Sequence, residues 1–236
     1  MQRGLEGFLL RATASRSDRI HHLMSDWESR LFYLFEWSQE VQDIREQYPL
    51  LDLDLAMEIA KEMEIEYPVN RKSNVPYVLT TDFMLTVKQG KKPVQIARTF
   101  KMTKDLGKKR TIEKLELERR YWKKHDIDWA IVTEQEISKV FASNIEWIYP
   151  AYRWELPEMQ NNKNCYYFGN ILKERLSNKK FKISTIATTL DSDMDLEIGT
   201  SLSLFKHLVA RKEIIIDMLQ PKIADRRAID IIKEVI

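Results

Sequence analysis

Apolar residues recur at helical spacing over residues 26–38, DWESRLFYLFEWS, with Ser25 just ahead and Glu28 three positions further on. That is the arrangement of an N-terminal capping box. A second helical pattern covers LDLDLAMEIAKEME, 51–64, and stops at the break YPVNRKSNVP. There the period shortens to two, and residues 77–87 and 93–101 read as strands joined by a basic turn around Gly90. The pattern then predicts a helix over 111–124 and a short buried strand over DWAIVTE, 128–134. This β-β-α-β order with helices in front predicts an α/β domain, a mixed sheet flanked by helices.

After IEWIYP the pattern changes. NNKN at 161–164 reads as a loop, KFKISTIATTL as a short helix, IGTSLSLFKHLVARK as a second helix and EIIIDML as a strand. Helix, helix, then a strand entering a turn is compatible with a winged-helix-like domain. The expected division is therefore 1–150 and 151–236. A chain of 236 residues has room for two modest cores.

Composition narrows the class. No apolar run is long enough to cross a bilayer, and the opening MQRGLEGFLLRATASR lacks a long apolar stretch ending in a small-residue cleavage site. The single cysteine, Cys165, has no partner for an internal disulfide, and no Cys/His set has zinc-ligand spacing. An intracellular protein without structural zinc is expected. Net charge is only +2, so the average does not point to nucleic acid. The distribution does: residues 88–124 hold fourteen Lys/Arg against four Asp/Glu, whereas residues 36–66 hold two against ten. Such segregation suggests one face built for phosphates, although solvated helix faces give the same counts.

The hairpin carries the candidate chemistry. Alternation along 93–101 puts Gln95, Ala97, Thr99 and Lys101 on one face and Val94, Ile96, Arg98 and Phe100 on the other. Folding the hairpin symmetrically about Gly90 sets Asp82 opposite roughly residue 98, a step or two from Lys101. Phosphodiester hydrolysis explains such a grouping. A Mg²⁺ ion needs only one or two carboxylates plus a main-chain carbonyl, and a neighbouring lysine stabilises charge on the phosphate. Here those groups are Asp82, the Phe100 carbonyl and Lys101. Glu28 falls on the apolar face of its helix with Leu31, Phe32 and Phe35, which the capping box alone also explains. Glu118 falls inside the apolar arc of Ile112, Leu115, Leu117, Tyr121 and Trp122. A carboxylate there needs a metal, a wet cleft or a cation such as Lys114.

HHLMSDWESRLFYLFEW, DIREQYPLL, TTDF, the strand ending in Lys101, RTIEKLELERRYW and NIEWIY closely resemble the TnsA family, over about residues 19–148. This family is the endonuclease subunit of heteromeric bacterial cut-and-paste transposases. The resemblance implies a restriction-endonuclease-like domain followed by a winged-helix domain, a cytoplasmic location, and cleavage of the strand at the 5′ ends of the transposon. It implies double-stranded DNA, a TnsB-type DDE transposase and, through the C-terminal part, a TnsC-type AAA+ regulator as partners. It assigns the metal-binding glutamate to Glu28, the aspartate to Asp82, the lysine to Lys101 and a further active-site neighbour to Glu118, which joins Glu28, Asp82 and Phe100 as a candidate metal ligand, with Mg²⁺ as cofactor and Mn²⁺ as a substitute. Lys88, Lys91 and Lys92 in the turn, with Lys104, Lys108, Lys109 and Arg110 before the next helix, become candidate phosphate contacts. One departure stands out: Thr99 occupies a position where family members tend to carry Gln. It leaves open a non-catalytic DNA-binding module that links the transposase to its regulator.

Overall fold

The computed structural model describes residues 10–13, 19–153, 162–177 and 180–236, with side chains described outside 10–13 and 162–165. The chain divides into two compact units, Met1–Ile137 and Ser138–Ile236.

The first unit is built on a four-stranded sheet with order β3-β4-β5-β6: β3 (Val41–Pro49), β4 (Thr80–Gln89), β5 (Lys92–Phe100) and β6 (Asp128–Val132). Neighbours β3/β4 and β4/β5 are antiparallel and β5/β6 parallel, so the expected mixed sheet is present. The parallel pair needs a crossover, and α3 (Lys109–Lys124) provides it. Ahead of the sheet, β1 (Leu10–Thr13) and β2 (Ile20–Leu23) form a separate two-stranded ribbon. Helix α1 (Asp26–Trp37) follows it, and α2 (Leu53–Glu62) links β3 towards β4.

Two cores form, one on each face of the sheet. Leu31 and Phe32 of α1 pack on Ile44, Phe83, Leu85 and Phe100. On the other face Ala56, Ile59 and Ala60 of α2 join Leu117, Tyr121 and Trp122 of α3 over Met84 and Ala97. Each large side chain buried this way contributes roughly 1.5–3 kcal/mol. The alternation read along β5 is therefore real, with Phe100 and Ala97 in opposite cores. Ile112, placed in the apolar arc of α3 by its spacing, is instead half exposed on the first turn of that helix.

Strand β3 has no counterpart in the hydropathy pattern. Its apolar residues Val41, Ile44 and Tyr48 fall three and four apart, a helical spacing. The register shift between Val41 and Asp43 and the left-handed backbone of Gln47 (φ 48°) break the alternation.

The second unit contains α4 (Lys139–Ile148), α5 (Asn162–Ser177), α6 (Ile183–Asp193), α7 (Thr200–Ala210) and the short α8 (Ala228–Ile231). Strands β7 (Ile214–Ile216) and β8 (Ile232–Val235) pair antiparallel within it. Leu172, Leu176, Leu190, Leu204 and Phe205 are fully buried. Asp191 of α6 accepts hydrogen bonds from the Gly199 and Ser201 amides, so a neighbouring helix supplies the N-terminal cap that α7 itself lacks. Asn144 donates its amide to the Met218 and Gln220 carbonyls, both at 2.8 Å, which ties α4 into this unit. The division thus falls ahead of residue 150, where the composition shift set it. Helix α5 begins at Asn162, so most of the NNKN segment is helical rather than loop. The side chain of Cys165 lies outside the described residues. Among the described residues, no helix is long and apolar enough to cross a membrane.

Candidate active site

Helix α1 starts as its sequence dictates. The Ser25 hydroxyl accepts the Glu28 amide (3.2 Å) and donates to Glu28 Oε1 (3.0 Å), while the Met24 amide donates to Glu28 Oε2 (2.9 Å). The capping box therefore orients a carboxylate that is 9% exposed. Burial pushes the Glu28 pKa up, the Met24 amide opposes this, and the nearby negative charge of Asp82 raises it further.

Asp82 stands near the start of β4. Phe83 pairs with Arg98, so continuing the register sets Asp82 opposite Thr99, one residue from the position that symmetric folding gives. Its Oδ2 accepts the Phe100 amide at 2.8 Å and lies 3.9 Å from Lys101 Nζ. Burial raises the Asp82 pKa, and Lys101, the Phe100 amide and the Gln47 side chain partly oppose the rise. Phe100 is fixed from two sides, by that amide and by a ring stacked 6.0 Å from Trp27. Lys101 is held in line because its own amide continues the parallel ladder to the Val132 carbonyl at 3.0 Å. Asp82, Phe100 and Lys101 therefore meet at one end of the hairpin, and the charges of Glu28, Asp82 and Lys101 bear on one another.

Glu118 is buried at 7% exposure on α3. Neutral donors satisfy it, with no role for Lys114: Oε1 accepts from Thr81 Oγ1 at 2.6 Å, from Trp129 Nε1 at 2.9 Å and from the Thr99 hydroxyl. Trp122 Nε1 in turn donates to Thr81 Oγ1 at 2.6 Å. Thr99 is thus committed to Glu118. Burial pushes the Glu118 pKa up and these donors offset it in part. Nothing in the sequence pattern pairs Thr81, Thr99 and Trp129 with one glutamate, because they come from three strands.

A cleft of about 410 Å³ opens here, lined by Asp82, Thr99, Lys101, Lys114 and Glu118, with residues 77–80 as one wall. The sequence pattern reads 77–80 as the start of a strand, but β4 begins at Thr80, and the break YPVNRKSNVP just ahead adds Pro68 to the lining and forms a loop of its own. Its tip is ordered by the side chain of Asn70, which accepts the Lys72 and Ser73 amides, and by a bridge between Val69 and Pro76.

The donors at this strand end are all oxygens: two carboxylates whose protonation burial favours, and the main chain at Phe100. Among the described residues no three His, Cys, Asp or Glu side chains gather into a metal-holding cluster. A hard cation that keeps several waters fits such a sparse oxygen set, whereas zinc does not.

The basic candidates split. Lys104, Lys108, Lys109 and Arg110 follow Lys101 closely, but Lys108 pairs with Asp105 (2.6 Å), and Lys109 (3.9 Å) and Arg110 (3.1 Å) both pair with Glu113. Lys88, Lys91 and Lys92 lie at the far end of the hairpin, roughly 25 Å from Phe100 at about 3.4 Å per residue. His21 is buried against Glu46 (2.7 Å) and serves the structure, while His22 is exposed. Trp122 belongs to the core.

Comparison with known proteins matches the sequence to one family. Residues 38–134 match the TnsA-like endonuclease N-terminal family and residues 136–218 the TnsA endonuclease C-terminal family. The Escherichia coli protein "Transposon Tn7 transposition protein TnsA" is 38% identical over 200 residues, covering 85% of this chain and 70% of that protein. With both halves matched in order and a relative of that identity along most of its length, the chain belongs to the TnsA endonuclease family.

Proposed function

We propose that this endonuclease cuts the strand at the 5′ ends of a transposon, using Mg²⁺ (or Mn²⁺) held by Glu28 and Asp82 with the Phe100 carbonyl. The observation that carries the reading is the meeting of Asp82, the Phe100 amide and Lys101 at one strand end. When bound, the cation would polarise the scissile phosphate and acidify an attacking water. Asp82 in the cleft and Glu28 at the start of α1 would supply the carboxylate oxygens that hold the cation. Lys101, 3.9 Å from Asp82, is placed to orient the water and stabilise charge on the phosphate. Glu118 fixes the wall behind them through Thr81, Thr99 and Trp129. That Thr99 bonds Glu118 while Asp82 and Lys101 stay near each other supports this reading over a non-catalytic assembly module.

The partners follow the family: transposon-end duplex, a TnsB-type DDE transposase and, through the second unit, a TnsC-type AAA+ regulator, all in the bacterial cytoplasm. The first unit is taken to be restriction-endonuclease-like. The second, with helices α6 and α7 leading into the β7/β8 pair, is taken to be a winged helix. The Lys104–Arg110 segment would hold phosphates beside the cut, with Lys88, Lys91 and Lys92 further along the duplex. Cleavage of end DNA, assayed with the partner transposase, should vanish in Asp82→Ala and in Lys101→Ala. Wild-type cutting by both variants would remove this site from the reaction. Mg²⁺ titration followed by calorimetry supplies a readout independent of cutting.

A further inference from the structure

Gln47 has a left-handed backbone (φ 48°) inside β3. A residue with a Cβ is disfavoured there and persists where its surroundings over-determine it, which is common beside active sites. Its position is telling. Glu46 pairs with Phe83 and Tyr48 with Thr81, so Gln47 lies across from Asp82.

The strand faces invert at this pair. Phe83 packs in the core under α1, yet Thr81, two residues away, donates to Glu118 of α3. On β3, Ile44 lies in the α1 core while Tyr48 packs with the α2/α3 core, its ring 6.0 Å from Trp122. Regular strands would put 81 and 83, and likewise 44 and 48, on the same face. The inversion is what frees Asp82 from the sheet surface and lets it reach the Phe100 amide. The side chain of Gln47 completes the arrangement. Its Oε1 accepts from Thr80 Oγ1 at 3.0 Å, which ties β3 at this pair to the start of β4, two residues ahead of Asp82.

We propose that Gln47 is a positioning residue for Asp82: its left-handed backbone inverts the strand faces, and its side chain fastens the start of β4 through Thr80. This rests on Asp82 acting in the cut. Gln47→Gly separates the two roles, because glycine adopts the left-handed backbone freely and removes only the side chain. Its melting temperature should equal or exceed that of the wild type. Its kcat for cleavage of transposon-end DNA, measured with the partner transposase, should fall about 10- to 100-fold with KM within about twofold. Thr80→Val removes the hydroxyl that Gln47 accepts from and should be impaired to a similar extent. Gln47→Asn keeps the amide on a shorter reach and should recover part of the loss. Wild-type kcat in Gln47→Gly, or a defect confined to KM, overturns the inference. If Gln47→Gly does not fold, the inversion needs more than a permissive backbone and the inference falls too. Asp82→Ala assayed alongside tells the failures apart. A dead Asp82→Ala beside an active Gln47→Gly sinks only the role of Gln47, whereas an active Asp82→Ala sinks the site itself.

Discussion

Asp82 and Glu46 sit one strand apart and respond to pH in opposite directions. Burial holds the Asp82 pKa above its ordinary 3.8, despite Lys101 and the Phe100 amide. The folded state therefore binds that proton more tightly than the unfolded chain. Its contribution to stability is complete below pH 3.8 and is lost as pH rises through the folded value, because burial disfavours the ionised form. Asp82→Asn should raise the melting temperature by about 2–4 °C, the equivalent of about 1 kcal/mol for a chain of this size, while abolishing cleavage. Calorimetry that finds a lower melting temperature would contradict this. For Glu46, burial pushes the pKa up, but the hydrogen bond to His21 and the charges of His21 and Arg19 hold it at about 2. That stability is present above pH 4.5 and is lost as pH falls towards 2. Glu46→Gln should flatten the acid limb of the stability curve between those values, costing on the order of 1 kcal/mol at neutral pH. Urea melts at pH 6, 4 and 3 would show whether the two curves converge.

Among the elements, α1 links local sequence to chemistry most directly, since the box that starts the helix also orients Glu28. Ser25→Ala should cost about 1 kcal/mol of stability and release the restraint on Glu28 Oε1, lowering cleavage about tenfold. Unchanged activity alongside the stability loss would mean that the Met24 amide alone fixes the carboxylate. Legibility in the sequence followed the regularity of each element. Helices α1, α2, α3, α6 and α7 and strands β4, β5 and β6 carry clean periods and were readable within a few residues. The strand β3 was hidden because its bulge and the left-handed Gln47 replace alternation with a helical spacing. With it went the partner strand of Asp82. The site residues on the hairpin were legible because turn and period fix a register to within one position. The Glu118 network was not, because its donors converge only once three strands and a helix are packed.

Across the whole molecule, charge is less segregated than the sequence suggests. The acidic stretch contributes α2 and the basic stretch α3, and the two helices share one core. Within α3, Glu116 binds both Arg119 and Arg120 at 2.7 Å, and Glu113 takes Arg110. Of the candidate phosphate contacts, Lys104 follows one end of the hairpin and Lys88, Lys91 and Lys92 lie at the other. Each phosphate released from its counterions contributes about 0.9 to the slope of log affinity against log salt. Replacing Lys104, Lys108, Lys109 and Arg110 by alanine should reduce that slope by about 2–3, less than the roughly 3.6 of four free cations, because three are already paired with carboxylates. The far group should behave differently. Roughly 25 Å corresponds to about seven base pairs at 3.4 Å each. Alanine at Lys88, Lys91 and Lys92 should therefore weaken binding only to duplexes that extend at least that far beyond the cut, and leave shorter ones unaffected. Fluorescence-anisotropy titrations on two duplex lengths at several salt concentrations separate the cases. Equal losses on both lengths would mean that the turn reaches the DNA near the cleft, and that the duplex does not run along the hairpin.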